Sequence, residues 1–182
     1  MTPIRQASGG GFTMVELLVV IGIIALLASM LMPTLGRGHE SGRAATCQGN
    51  LHQIGLALQI YVDDSRNFMP TMYDRPLTNA PTNLPTMDVV LAPQLGSQRS
   101  LRCPSDNQSI FEKTGSSYSW NSLLNGQNAA QLRVLNLNLA MTKIPLIFDK
   151  QAFHAALGSK HAVNYLYADG HIKNLLIISG SQ

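Results

Sequence analysis

The chain has 182 residues, and its 13 basic and 10 acidic side chains leave a formal net charge of +3; only 13% of residues are charged, against 45% hydrophobic. No cluster of Lys and Arg is dense enough to follow a phosphate backbone, so the basic balance does not argue for nucleic acid and no such partner is expected. Cys47 and Cys103 form no CxxC pair, which makes a cysteine-type zinc site unexpected; they can pair in an oxidising compartment or stay buried thiols in a reducing one.

The first element is the run "GGGFTMVELLVVIGIIALLASMLMP". From Phe12 to Met32 its one charge is Glu16, and only Thr13, Gly22 and Ser29 dilute its apolar character. About 21 residues at ~1.5 Å each span ~31 Å, enough to cross a hydrocarbon core of ~30 Å. A cleaved secretory signal fits poorly, because only Arg5 precedes the run and no small-x-small triplet lies within it. A plain anchor fits the length but leaves Glu16 and the block Gly9, Gly10 and Gly11 unexplained. An ionisable side chain in a bilayer costs roughly 2.5–3.5 kcal/mol on insertion scales, so one there usually has a partner and a task.

"GGGFTMVE" resembles the processing site of type IV pilins and the pseudopilins of type II secretion. The resemblance implies a leader of residues 1–11 that a prepilin peptidase removes between Gly11 and Phe12, with methylation of the new N-terminus. It makes Glu16 the fifth residue of the mature chain, and Gly22 and Pro33 match at their expected places. It further implies that Glu16 meets the Phe12 amine of a neighbouring subunit in a filament. Such a pair offsets the desolvation of both charges and fixes axial register. Phe12, Glu16 and Pro33 are then assembly residues. Arg5 upstream against Arg37 and Arg43 downstream slightly opposes a cytoplasmic N-terminus by charge count, but the leader of that family must face the cytoplasm to be cut.

Beyond a transmembrane and assembly helix over residues 12–35, an amphipathic stem is predicted over 36–66. Cys47, Leu51, Ile54, Leu58 and Tyr61 recur at spacings of 4, 3, 4 and 3, one face of a helix, with Gln48, Asn50, Gln53 and Gln59 between them. One helix is expected from Phe12 to about Val62, loosened near Pro33 and its following glycines, Gly36, Gly38 and Gly42. Asp63, Asp64, Ser65, Arg66 and Asn67 end it. Six of the nine prolines fall between Pro70 and Pro104, so long regular elements are not expected there.

Residues 67–182 read as a small β-rich head, giving an α+β fold in which the stem packs on an antiparallel sheet. Residues 135–139, "LNLNL", alternate as a half-buried strand should. Residues 144–148 form a short apolar strand, placed at a sheet edge by Pro145. Asp169 and Gly170 between two apolar-rich runs predict a type I′ hairpin turn joining strands over 163–168 and 171–178. Tyr118, Trp120, Tyr165 and Tyr167 are expected in the core or on sheet faces.

This half carries a second resemblance. "CQGNLHQIGLALQIYVDDSRNFMP", "LRCPSD" and "KHAVNYLYADGHI" are similar to a large group of pilin-like proteins whose C-terminal motif is histidine, nine residues, then Asp-Gly. Seven residues separate His161 from Asp169 here, a shortened variant. The resemblance places the head outside the inner membrane, where a Cys47–Cys103 bridge would tie a Pro-rich loop to the stem. It would close about 55 residues and contribute about 4 kcal/mol in the chain-entropy model.

Catalytic and metal chemistry find little footing. There is no GxSxG elbow. His154, His161 and His171 lie near Asp149 and Asp169 in sequence but show no spaced ligand pair. Calcium enters through the resemblance, since some secretion pseudopilins hold it in loops near the C-terminal sheet. Asp106, Asp149 and Asp169 are the available oxygen donors, otherwise read as turn and capping aspartates. No other cofactor and no enzymatic activity are expected. The expected function is a structural subunit of a pilus-like or pseudopilus filament. Its partners would be the peptidase, other pilin or pseudopilin subunits and an inner-membrane assembly platform. It would be a single-pass inner-membrane protein with its N-terminus cytoplasmic before cleavage and its head periplasmic or in an extracellular filament. The alternative is a non-polymerising, membrane-tethered extracytoplasmic binding module.

Overall fold

The computed structural model describes residues 13–77, 83–135 and 137–174, with backbone only at 31, 33 and 34. The leader, Gly11 and Phe12 therefore lie outside the described residues, as does the Pro33 side chain. Two compact units divide the chain, Met1–Gly38 and His39–Gln182.

In the first unit the chain is helical from Met14 onward, and each described side chain between Thr13 and Gly38 is exposed. This segment belongs to α1 (Met14–Asp64), which continues through Pro33 without interruption, so the expected loosening there does not end the element. The stretch is long and apolar enough to cross a membrane.

The second unit is α+β. The stem part of α1 buries Ala44, Cys47, Leu51, Ile54, Leu58 and Val62, while Gln48, Gln53 and Gln59 are less buried or exposed. Four of the five predicted face positions are in that stripe; the fifth, Tyr61, is half-buried and Val62 takes the deep position. Each Leu or Ile fully removed from water contributes about 1.5–3 kcal/mol before chain entropy is counted. After Asp64, Arg66 and Asn67 turn left-handed at φ 55° and 67°, and the Asn67 N–H returns to the Val62 carbonyl, which closes the helix.

The sheet is four-stranded and antiparallel in the order β1 (Tyr118–Trp120), β2 (Pro145–Asp149), β3 (Tyr165–Tyr167) and β4 (Ile172–Lys173). Its side chains Tyr118, Trp120, Leu146, Ile147 and Leu166 share one core with the α1 stripe. Tyr165 is half-buried against Phe148 and Tyr167. Two short α-helices, α2 (Met87–Val90) and α3 (Ile110–Thr114), and several single 3-10 turns precede or connect these strands among the described residues. Among its described residues the Pro-rich segment before α2 pairs with no strand of the sheet. Asn125 holds it instead, accepting from the Met72 N–H at 3.0 Å and donating to the Met72 carbonyl at 3.0 Å. The same Asn125 oxygen takes the Trp120 indole N–H at 2.7 Å.

Three local expectations are corrected. Residues 135–139 do not form a half-buried strand: Leu135 takes φ 52°, Val134 and Leu137 bridge across it, and Leu135 and Leu137 are 76% and 58% exposed. Alternation alone does not make a strand where no neighbouring edge offers hydrogen bonds. The strand containing Pro145 is internal, since β2 pairs with both β1 and β3. Proline is tolerated because it stands first in the strand, beside a register shift between Pro145 and Ile147. The β3–β4 hairpin exists in its described part, but its turn is not type I′. Only Gly170 has positive φ (86°), and its N–H bonds to the Tyr167 carbonyl at 2.9 Å. That is the turn in which a left-handed glycine is the last of the four residues of the bend. The predicted strand beyond residue 174 lies outside the described residues.

The approach of α1 to β3 is set at Gly55, where an added Cβ would lie 3.0 Å from Leu166 Cδ2. Gly55→Ala is expected to be close to neutral, because better helix propensity, about 1 kcal/mol, offsets a contact that the leucine tip can relieve. Gly55→Val should lower stability by about 1–3 kcal/mol through overpacking. Thermal melts of the three proteins followed by circular dichroism check the order.

Candidate functional site

The N-terminal unit carries its ionisable group at the helix start. The Thr13 N–H and Oγ1–H both donate to Glu16 Oε2, at 2.9 and 2.7 Å, and the Glu16 N–H donates back to Thr13 Oγ1 at 3.2 Å. Threonine, two residues, then glutamate is the reciprocal capping box, which satisfies two of the backbone donors that a helix leaves open. Glu16 is thus engaged within its own chain. The signal, T-x-x-E before an apolar run, stands in the sequence.

In the head, three chain segments meet around His154, which has no solvent exposure. The stem supplies Glu40 and Cys47, seven positions apart and so two turns apart on one helix face. The loop before α3 supplies Cys103 and Ser105. The end of β2 and the loop after it supply Asp149 and His154. The structure joins Cys47 to Cys103, with Cα atoms 5.2 Å apart. The junction is reinforced by the Asn50 amide, which donates to the Arg102 carbonyl at 2.8 Å.

Glu40 Oε1 accepts the Ser105 hydroxyl at 2.6 Å and lies 2.8 Å from His154 Nδ1. Burial alone would raise the Glu40 carboxyl, but these two contacts, with Arg43 nearby, hold it below its ordinary value. An ionised Glu40 can only accept, so Nδ1 carries the hydrogen and Nε2 faces the other way. On that side Nε2 lies 3.6 Å from Cys103 Sγ and 3.8 Å from Asp149 Oδ2.

Asp149 is 2% exposed, and burial pushes its carboxyl above the usual carboxylate range. Its Oδ2 accepts the Asn164 N–H at 2.7 Å and the Asn164 amide at 2.8 Å, while Oδ1 has no hydrogen-bond partner among the described residues. Asn164 is itself tied to Gln48 of α1 at 3.2 Å, which brings the chain ahead of β3 back to the stem.

The three calcium candidates do not converge as a ligand group among the described residues. Asp106 caps α3: Oδ1 accepts from the Ile110 N–H at 3.0 Å, and Oδ2 from the Phe111 N–H at 2.8 Å and the Ser117 hydroxyl at 2.7 Å. Burial opposes those donors, yet together they hold its carboxyl below the ordinary value. Asp169 accepts the His171 N–H at 3.2 Å and pairs with the His171 ring, which stacks on Tyr167 at 4.4 Å between centroids. His161 is exposed. Sequence reasoning found Cys47, Cys103 and Asp149 but missed Glu40, Ser105 and Asn164. Of these, only Glu40, two turns ahead of Cys47, had a helical spacing that could have revealed it.

No protein-family model, no curated protein and no solved structure matches the chain.

The Glu40 contacts lead to an ordered pair of outcomes. Glu40→Gln keeps an acceptor for Ser105 and His154 and should cost less than about 1 kcal/mol. Glu40→Ala strands both donors in a largely buried place and should cost about 1–3 kcal/mol. Chemical unfolding of the head, monitored by the fluorescence of its single tryptophan, measures both.

Proposed function

We propose that this chain is a structural subunit of a pilus-like or pseudopilus filament, anchored by α1 in the inner membrane and polymerised through its N-terminal part. The observation that carries the reading is the helix start itself. A membrane-length apolar run, exposed along the described part of its unit, has one carboxylate at the fifth position after a Gly-Phe junction. A pilin-like layout, with a long helix whose second half packs on a small antiparallel sheet, supports it. In this reading a prepilin peptidase cuts between Gly11 and Phe12 and methylates Phe12. An inner-membrane platform then adds subunits, and the head stands in the periplasm or along the filament.

The capping box sharpens the part played by Glu16. Within a single subunit the carboxylate is held by Thr13; in the filament it pairs with the Phe12 amine of a neighbour, and the two charges leave water together. Glutamine serves a capping box as well as glutamate does. Glu16→Gln therefore removes the charge while keeping the helix start.

Two outcomes are expected. Intact-mass measurement of the membrane-extracted protein should give a chain that begins at an N-methylated Phe12; retention of residues 1–11 in cells that contain the peptidase would overturn the processing step. Glu16→Gln should reach the membrane fraction at wild-type level or above, because a neutral side chain costs less to insert. Its sheared filaments should fall by tenfold or more. Normal filaments from this variant would favour the tethered binding module.

A further inference from the structure

We propose that the reduced chain holds a zinc ion between Cys47, Cys103 and His154, with Asp149 as the fourth ligand, so that one buried place is a disulfide when oxidised and a metal site when reduced. This inference stands apart from the filament reading and uses only the head.

The ligand atoms are already close. One atom each from Cys47, Cys103 and His154 lies within 4.8 Å of the others, and all three residues are buried. A tetrahedral zinc with Zn–S of about 2.3 Å and Zn–N of about 2.0–2.1 Å sets its sulfur and nitrogen ligands ~3.6 Å apart. Cys103 Sγ and His154 Nε2 are 3.6 Å apart. A nitrogen and a carboxylate oxygen on the same ion are ~3.4 Å apart, and Nε2 to Asp149 Oδ2 is 3.8 Å. Two things have to change: the pair of sulfurs, which separate once their bond is cut, and the Asp149 carboxylate, which lies outside the group of three and must draw in to fill the fourth position.

The surrounding groups are those a zinc site needs. Glu40 takes the Nδ1 hydrogen of His154 at 2.8 Å, which presents Nε2 as a lone pair toward the sulfurs. A carboxylate behind a ligating histidine fixes the ring and raises its donor strength. Ser105 holds Glu40, and Asn164 holds Asp149 through two hydrogen bonds. The Asp149 oxygen nearest His154 is Oδ2, which Asn164 holds, while Oδ1 has no hydrogen-bond partner among the described residues although the residue is buried. Thiolate and imidazole donors favour zinc over calcium or magnesium, which take oxygen ligands. Spacing in the sequence gave no sign of the site, because its ligands come from the stem, a loop and the end of a strand.

The chemistry balances in two steps. A dithiol reductant gives two electrons to the Cys47–Cys103 bond; each sulfur takes one proton, and the reductant becomes a disulfide. Zinc then displaces the two thiol protons, forms two Zn–S bonds and accepts the His154 and Asp149 lone pairs. Stem and loop stay cross-linked in both states, first by a covalent bond and then through the metal.

The test uses the full chain in detergent, with cobalt(II) as the spectroscopic probe and zinc as competitor. The protein is reduced, freed of reductant without oxygen and titrated with cobalt. The expected result is a sulfur-to-cobalt charge-transfer band with intense tetrahedral visible bands, saturating at one equivalent and bleached by zinc. The oxidised chain should give neither. His154→Gln should weaken zinc binding at least tenfold and change the visible bands; Glu40→Gln, which keeps every ligand, should weaken it by about 10–100-fold. Absence of the charge-transfer band from the reduced wild-type chain overturns the proposal without reference to any variant. A band unchanged in a folded His154→Gln protein overturns it as well, since the cobalt would then sit on the thiols alone.

Discussion

One stripe of a single helix organises the head. Leu51, Ile54 and Leu58 reach no solvent or almost none, and the strands, the Pro-rich segment and the loop before α3 all place side chains in the core that contains them. Such a stripe leaves little freedom to the elements that cover it. At Gly55 the Leu166 side chain of β3 packs close against α1, leaving room for little more than a methyl group. The sheet is short, with strands of two to five residues, and strands of that length are stable only on an apolar support. The helix provides it.

The polar groups beneath this core obey a different rule. His154, Asp149 and Asn164 are buried, and a buried polar group is tolerated when its donors and acceptors find partners. Most do, through contacts that run from the stem to the loop and back to the chain ahead of β3. These contacts are directional, so they specify which loop lies against which turn of the helix, a choice that apolar packing leaves open. The covalent link at Cys47 and Cys103 lies in the middle of the same group.

The helix and its buried face were readable because a period of 3.6 residues is a property of the chain alone, and Cys47, Leu51, Ile54 and Leu58 display it directly. The last hairpin was readable for a similar reason: Asp169 and Gly170 mark a bend between two apolar runs. The bend type was not, because it depends on whether Asp169 as well as Gly170 turns left-handed, and the chain takes the less strained choice. The alternation at 135–139 misled because a strand is defined by its neighbours and a sequence pattern does not say whether an edge is free. Likewise β1 escaped notice: three residues, Tyr118, Ser119 and Trp120, are too few to show a period. The meeting of Glu40, Cys103 and His154 across the fold is a long-range fact, and no local spacing encodes it.

The grip of Asn125 on Met72 touches only atoms that every residue except proline possesses, an N–H and a carbonyl. At that point the backbone is held through main-chain atoms, while the fully buried Met72 side chain packs separately in the core. Substitutions at exposed positions of the segment, such as Tyr73 and Leu77, leave this grip untouched, whereas a change at Asn125 would remove it together with the Trp120 contact. Part of the information about the route is stored at a distance from the route in sequence, in one amide that follows β1 along the chain.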